Sequence, residues 1–112
     1  MSKRKILEIK ELLIQLLEQR EISIEKIILF GSYAKNSFRK DSDIDIIIIS
    51  TDFREMDIFE RVKLSSGLHR EFIKRIKKPV DIMYFSDKEW KESNSLIINS
   101  ARRDGEVIYS YS

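Results

Sequence analysis

The stretch Ile27-Ile28-Leu29-Phe30-Gly31-Ser32-Tyr33-Ala34-Lys35-Asn36-Ser37-Phe38-Arg39-Lys40-Asp41-Ser42-Asp43-Ile44-Asp45-Ile46-Ile47-Ile48-Ile49 decides the fold. It reads as an apolar strand, a Gly-Ser turn, a short polar segment, and a second strand that opens with spaced carboxylates. Side chains two apart in a strand project to the same face. Asp43 and Asp45 therefore point together while Ile44 points into the core. Two adjacent carboxylates repel unless a cation lies between them. Oxygen-only donors, with no His or Cys nearby, suit Mg²⁺, with Mn²⁺ as the alternative, rather than zinc.

Working outward, the continuous Ile46–Ile49 run predicts a strand covered on both faces. Upstream, Glu25 to Phe30 forms a strand that Gly31 ends. From about Ser2 to Arg20, Ile6, Ile9, Leu12, Leu13, Leu16 and Leu17 recur at helical spacing and predict an amphipathic helix. Ser32 to about Ser37 is polar and suits the start of a short helix. Downstream, Asp52 or Thr51 is expected to cap one long helix from about Glu55 to Lys77. Phe59, Val62, Ser66, His69, Ile73 and Ile76 would share one of its faces, with Gly67 a weak point inside it. Pro79 ends that helix and starts a strand over Val80–Phe85. Ser86-Asp87-Lys88-Glu89 has the form of a capping box. The helix it opens carries Trp90, Leu96, Ile97 and Ala101, then Arg102 and Arg103 in its last turn, with Gly105 just past its end. Val107 to Tyr109 adds a short strand. The order α-β-α-β-α-β-α-β is an α/β arrangement without repeat or linker.

With 112 residues, this is expected to be a single domain covering 1–112. Lys and Arg total 21 and Asp and Glu 19, a net charge of +2, so no strong field favours nucleic acid or an anionic membrane surface. Cysteine is absent, which excludes disulfides, zinc-thiolate sites and thiol nucleophiles. The basic start Met1–Lys5 is followed by Glu8, Lys10 and Glu11 rather than by an apolar run, so no signal peptide is read there. No stretch is long and apolar enough to span a bilayer, and a cytoplasmic location is expected.

A third carboxylate would complete a site built on Asp43 and Asp45. Asp81 is the candidate, because it is the single acid near the start of the apolar strand Val80–Phe85. If that strand neighbours the Asp43 strand, the three acids converge on two cations about 3.5–4 Å apart, an arrangement that supports phosphoryl or nucleotidyl transfer. Gly31 lets a phosphate approach the backbone, and a helix starting at Ser32 would aim free N–H groups at it. The Ser32 hydroxyl adds a donor and Lys35 a neutralising charge. A calcium loop over Asp41, Asp43 and Asp45 fails, because Ile46 stands where glycine is needed. His69 reads as structural, and Arg39 and Lys40 as a solvated loop.

Gly31-Ser32-Tyr33-Ala34, then Asp43-Ile44-Asp45, then Asp81 resembles the minimal nucleotidyltransferases of the DNA polymerase β-like superfamily. The resemblance covers nearly all of the chain from Glu25 onward. It implies a nucleotidyltransferase fold, a mixed sheet with helices mainly on one face. It also implies transfer of a nucleoside monophosphate, AMP from ATP, to an acceptor hydroxyl. On that pattern Gly31 and Ser32 hold the triphosphate, Asp43 and Asp45 bind both Mg²⁺ ions, and Asp81 binds the catalytic one and helps activate the acceptor. The family usually has a second glycine where this chain has Asn36, a residue that tolerates a left-handed backbone. Small members resemble antitoxins paired with an all-helical HEPN toxin, whose tyrosine is the acceptor. A protein acceptor is therefore expected, in a homo- or hetero-oligomer. Two other readings stay open: a non-catalytic antitoxin that acts by complex formation, and a small-molecule nucleotidyltransferase.

Overall fold

The structure, a computed structural model, describes residues 2–31 and 44–111. The short helix expected from Ser32, and with it Ser32, Lys35, Asn36 and Asp43, lies outside the described residues.

Helix α1 spans Lys3–Gln19 and is capped by Ser2, whose side chain accepts from the Lys5 backbone N–H. Its apolar stripe Ile9, Leu12, Leu13, Leu16 and Leu17 is buried. Strand β1 covers Lys26–Phe30, β2 Ile44–Ile49, β3 Val80–Phe85 and β4 Glu106–Ser110. They form one sheet in the order β3-β2-β1-β4. β2 runs antiparallel to β1 and parallel to β3, so the sheet is mixed. This matches the α/β fold expected from the sequence.

The isoleucine run behaves as its composition demands. Ile46, Ile47, Ile48 and Ile49 are all fully buried, two on each face of β2. Ile44, Ile46 and Ile48 join Ile27 and Leu29 in the larger core, under α1 and the helix carrying Phe72. Ile47, Ile49 and Ile28 face the other way and meet Ala101, with Phe30, Met83, Phe85 and Trp90 packed against them.

The long helix expected from about Glu55 to Lys77 is two helices. α2 spans Ile58–Leu64 and α3 Leu68–Ile76, with Gly67 between them at φ 85°. A left-handed residue cannot continue a right-handed helix, so the glycine does more than weaken this one: it turns the chain. The cap is also corrected. Ser50 caps a single 3₁₀ turn over Thr51–Phe53, and Asp52 instead accepts from the Ser23 N–H at 2.8 Å. Asp57 caps α2, in a capping box with Glu60. Because the helix breaks, Phe59 and Val62 do not share a buried face with Ile76. They are 80% and 58% exposed, and α2 buries Arg61 instead.

The final helical stretch divides as well, into α4 (Asp87–Glu92), whose Ser86–Glu89 capping box is as expected, and α5 (Leu96–Asp104). Gly105 does stand just past α5, but at φ −77°. Its role there is steric. A Cβ would lie 2.4 Å from the Ala101 carbonyl oxygen and 2.7 Å from Ile28 Cγ2.

Candidate active site

Sheet register brings the described site residues into one row. Phe30, the residue before Gly31, is the partner of Asp45 across β1 and β2, and Asp45 is the partner of Asp81 across β2 and β3. Register partners on neighbouring strands are about 4.8 Å apart and project to the same face. Asp45 and Asp81 thus share the face that also carries Ile47 and Ile49, at the starts of two parallel strands. Asp45 is half-buried and Asp81 exposed.

Gly31 contributes space. It adopts φ 78°, the left-handed region that favours glycine, and a Cβ built there would lie 2.3 Å from Asp45 Oδ2. The sequence suggested that Gly31 admits a phosphate. The structure gives it a further task, which is to leave room for the Asp45 carboxylate.

The donor chemistry fits a hard divalent cation. Two carboxylates stand side by side, and neither a thiolate nor a free imidazole competes. The single histidine, His69, is engaged elsewhere, its Nε2 lying 2.6 Å from the Val80 carbonyl oxygen. A carbonyl only accepts, so Nε2 carries the proton and donates. His69 therefore pins α3 to the residue beside Asp81, the structural role expected of it. Among the described residues no group of three or more His, Asp or Glu gathers that could hold a metal. They supply two members of the expected acid triad, and Asp43 lies outside them.

The chain matches the family profile "Polymerase beta, Nucleotidyltransferase" over residues 11–112. It belongs to the polymerase beta nucleotidyltransferase family. A curated relative from Methanocaldococcus jannaschii, provisionally named a protein adenylyltransferase, is 49% identical over 62 residues. That match covers 54% of this nucleotidyltransferase chain and 62% of the relative, so the chain spans less than two thirds of that protein's length. Among solved structures, a toxin–antitoxin complex with AMP-PNP aligns at TM-score 0.65 and 20% identity, over 91% of this chain and 73% of that one. A Sulfolobus solfataricus protein provisionally classed as a nucleotidyltransferase aligns at TM-score 0.61 and 20% identity, over 98% and 90% of the two chains. A Shewanella oneidensis complex of a tri-AMPylated HEPN toxin with an MNT antitoxin aligns at TM-score 0.58 and 20% identity, over 95% and 73%. At these identities the structural likeness is one of fold.

One part of this nucleotidyltransferase escaped sequence reasoning. The α2–α3 elbow stands over the edge strand β3 and forms a hollow beside Asp81. Val62, Ser66 and Arg70 line it, and none was singled out as a site residue. The available signal was Gly67 inside a helical pattern, which marks a turn rather than a weak helix.

Proposed function

We propose that this domain transfers AMP from ATP to a tyrosine hydroxyl of a HEPN-type partner protein, acting as the antitoxin of a cytoplasmic toxin–antitoxin pair. The observation that carries the reading is the Gly31–Asp45–Asp81 row, in which a glycine clears space for one carboxylate and strand register sets a second beside it. The relative's name supports a protein as acceptor. The AMP-PNP and AMPylated-toxin complexes, whose fold this chain shares, support ATP as donor and a HEPN protein as partner.

In the reaction the acceptor oxygen forms a bond to the α-phosphorus of ATP. The bond from that phosphorus to the α–β bridging oxygen breaks, and pyrophosphate leaves with the electron pair. The acceptor proton passes to the Asp81 carboxylate and then to solvent. Asp43, Asp45 and Asp81 would hold Mg²⁺, or Mn²⁺, which when bound neutralises phosphate charge and favours the deprotonated acceptor. Gly31 and Ser32, with Lys35 beside them, would hold the triphosphate. The protein's own share is placement: the pairing of β2 with β3 sets the Asp45 and Asp81 carboxylates side by side before substrate arrives.

The test is incubation of the purified protein with α-³²P-ATP, Mg²⁺ and a HEPN-type partner protein. Label should appear on the partner, and Asp43→Asn and Asp45→Asn should each abolish it. Labelling that persists in either variant would overturn the assignment.

A further inference from the structure

Asp81 is the second residue of the edge strand β3, close to the end at which a strand frays, and it is exposed. A carboxylate that is to hold a cation and meet an acceptor there needs its backbone fixed. We propose that His69 fixes it. His69 is the positioning residue for Asp81, acting through the Val80 carbonyl from the α3 side of the sheet and not through substrate. This rests on the assignment of Asp81 to the transfer site above.

The geometry begins with the strand edge. Successive residues of a strand turn their backbone groups to opposite edges. On the β2 side, the Pro79 carbonyl accepts from the Ile44 N–H at 3.0 Å and the Phe85 carbonyl from the Ser50 N–H at 3.1 Å. Val80 and Tyr84 each stand one residue away from these, so their carbonyls face the outer edge. Among the described residues no strand follows β3 there. Side chains meet both groups instead. Arg61 Nη1 donates to the Tyr84 carbonyl at 2.9 Å, and His69 Nε2 to the Val80 carbonyl at 2.6 Å.

The bond to Val80 is the one that bears on the site. A peptide group is planar, so the Val80 carbonyl oxygen, the Asp81 nitrogen and the Asp81 Cα move as one body. Holding the oxygen therefore holds the plane from which the Asp81 side chain leaves the strand, toward Asp45. Between them, Ile44 and His69 tie down the two carbonyls that precede Asp81, one on each edge.

His69 can hold because it is held. Its helix α3 buries Leu68 and Phe72 completely and starts at the Gly67 elbow. The Ser66 carbonyl in that elbow accepts from Arg20 Nη2, at the end of α1, at 3.2 Å. The histidine itself is exposed, so it adds little to the core, and one such hydrogen bond contributes only modestly to folding. Its position one residue from a site carboxylate gives the bond its purpose.

Placement is read on Asp81 itself, without metal or nucleotide. In ¹⁵N-labelled protein, His69→Leu removes the donor, while His69→Gln offers an amide N–H at nearly the same reach. The Asp81 amide resonance should shift and broaden in His69→Leu and return toward its parent position in His69→Gln. Mn²⁺ titration then reads the carboxylate: quenching of that resonance should need about tenfold more Mn²⁺ in His69→Leu. In single-turnover labelling, the rate at saturating ATP should fall about 10- to 100-fold with half-saturating ATP unchanged, and His69→Gln should recover most of it. If His69→Leu loses its folded spectrum, His69→Asn takes its place, because its shorter amide stops short of the carbonyl. An unmoved Asp81 amide in the folded donorless variant, no recovery in His69→Gln, or a loss that falls on half-saturating ATP would each overturn the proposal. An Asp81 amide that depends on His69 in a protein that transfers no AMP would sustain the positioning and overturn the transfer reading instead.

Discussion

At the scale of single residues, Gly31 and Arg61 show two different ways in which one residue fixes its surroundings. Replacing Gly31 by Ala forces a side chain into a left-handed backbone at a cost of about 1–2 kcal/mol. It also sets a Cβ against Asp45 Oδ2, so the carboxylate has to turn away. Misplacing a reacting group by about 1 Å costs on the order of 10²-fold in rate. Gly31→Ala should therefore remain folded, melt slightly earlier, and transfer AMP roughly 100-fold more slowly, as measured by single-turnover labelling beside a melting curve. Arg61 works through packing. It is 9% exposed, and its guanidinium donates to the carbonyls of Met56 (3.0 Å), Phe53 (2.8 Å) and Tyr84 (2.9 Å) while pairing with Glu89 at 2.7 Å. Arg61→Met keeps the stem and strands three carbonyls, which should destabilise by about 3 kcal/mol. Equilibrium urea unfolding would read this as a lower midpoint at an unchanged slope. Nothing in the sequence pattern marked Arg61, because a buried arginine is defined by the carbonyls that converge on it, and those come from distant positions.

At the scale of elements, what was legible depended on whether the deciding contacts were local. The strand Val80–Phe85 and the Ser86–Glu89 capping box could be read because proline, a short apolar run and the box spacing act over a few residues. The pairing of Asp45 with Asp81 could be anticipated, since β2 and β3 each carry an acid near their starts. The elbow at Gly67 was not anticipated. Helical periodicity over Glu55–Lys77 is satisfied equally by one helix or two, and tertiary contacts made the choice. Arg20 reaches from the end of α1 to the Ser66 carbonyl, with Nε at 3.4 Å and Nη2 at 3.2 Å, and holds the turn closed. Gly67→Ala should show how much the elbow depends on its left-handed residue. The added Cβ would sit 3.1 Å from Arg20 Nη2, the movable end of a long side chain, so the main cost is backbone strain. A loss of about 1 kcal/mol is expected, or about 4–8 °C in melting temperature. Scanning calorimetry would measure it, and no change would show that the turn is held by its neighbours alone.

At the scale of the whole molecule, the surface ion pair of Arg54 and Asp87 links the turn after β2 to the start of α4. The guanidinium binds the carboxylate through two nitrogens, Nε to Oδ1 at 2.7 Å and Nη2 to Oδ2 at 2.5 Å. That hydrogen bonding lowers the Asp87 carboxyl from its ordinary 3.8 to about 2, and raises the already high Arg54 value. A carboxyl held below its unfolded value binds fewer protons when folded than when unfolded. Its contribution to stability is therefore present in full above about pH 4 and is lost as pH falls toward 2. Arg54 stays charged throughout that range and contributes no slope of its own. Asp87→Asn removes the titrating group while keeping the helix start, where Ser86 and Glu89 still form the capping box. The variant should unfold at lower urea than the parent at pH 7, and the gap should narrow steadily between pH 4 and pH 2. Added salt should also narrow it at pH 7, because the pair is partly solvated. A gap that stayed constant from pH 7 to pH 2 would mean that Asp87 acts by packing rather than by charge. The candidate site residues Asp45 and Asp81 lie at the opposite ends of β2 and β3 from this pair, so nucleotide binding is expected to follow the acid transition of the fold and not that of Asp87 alone.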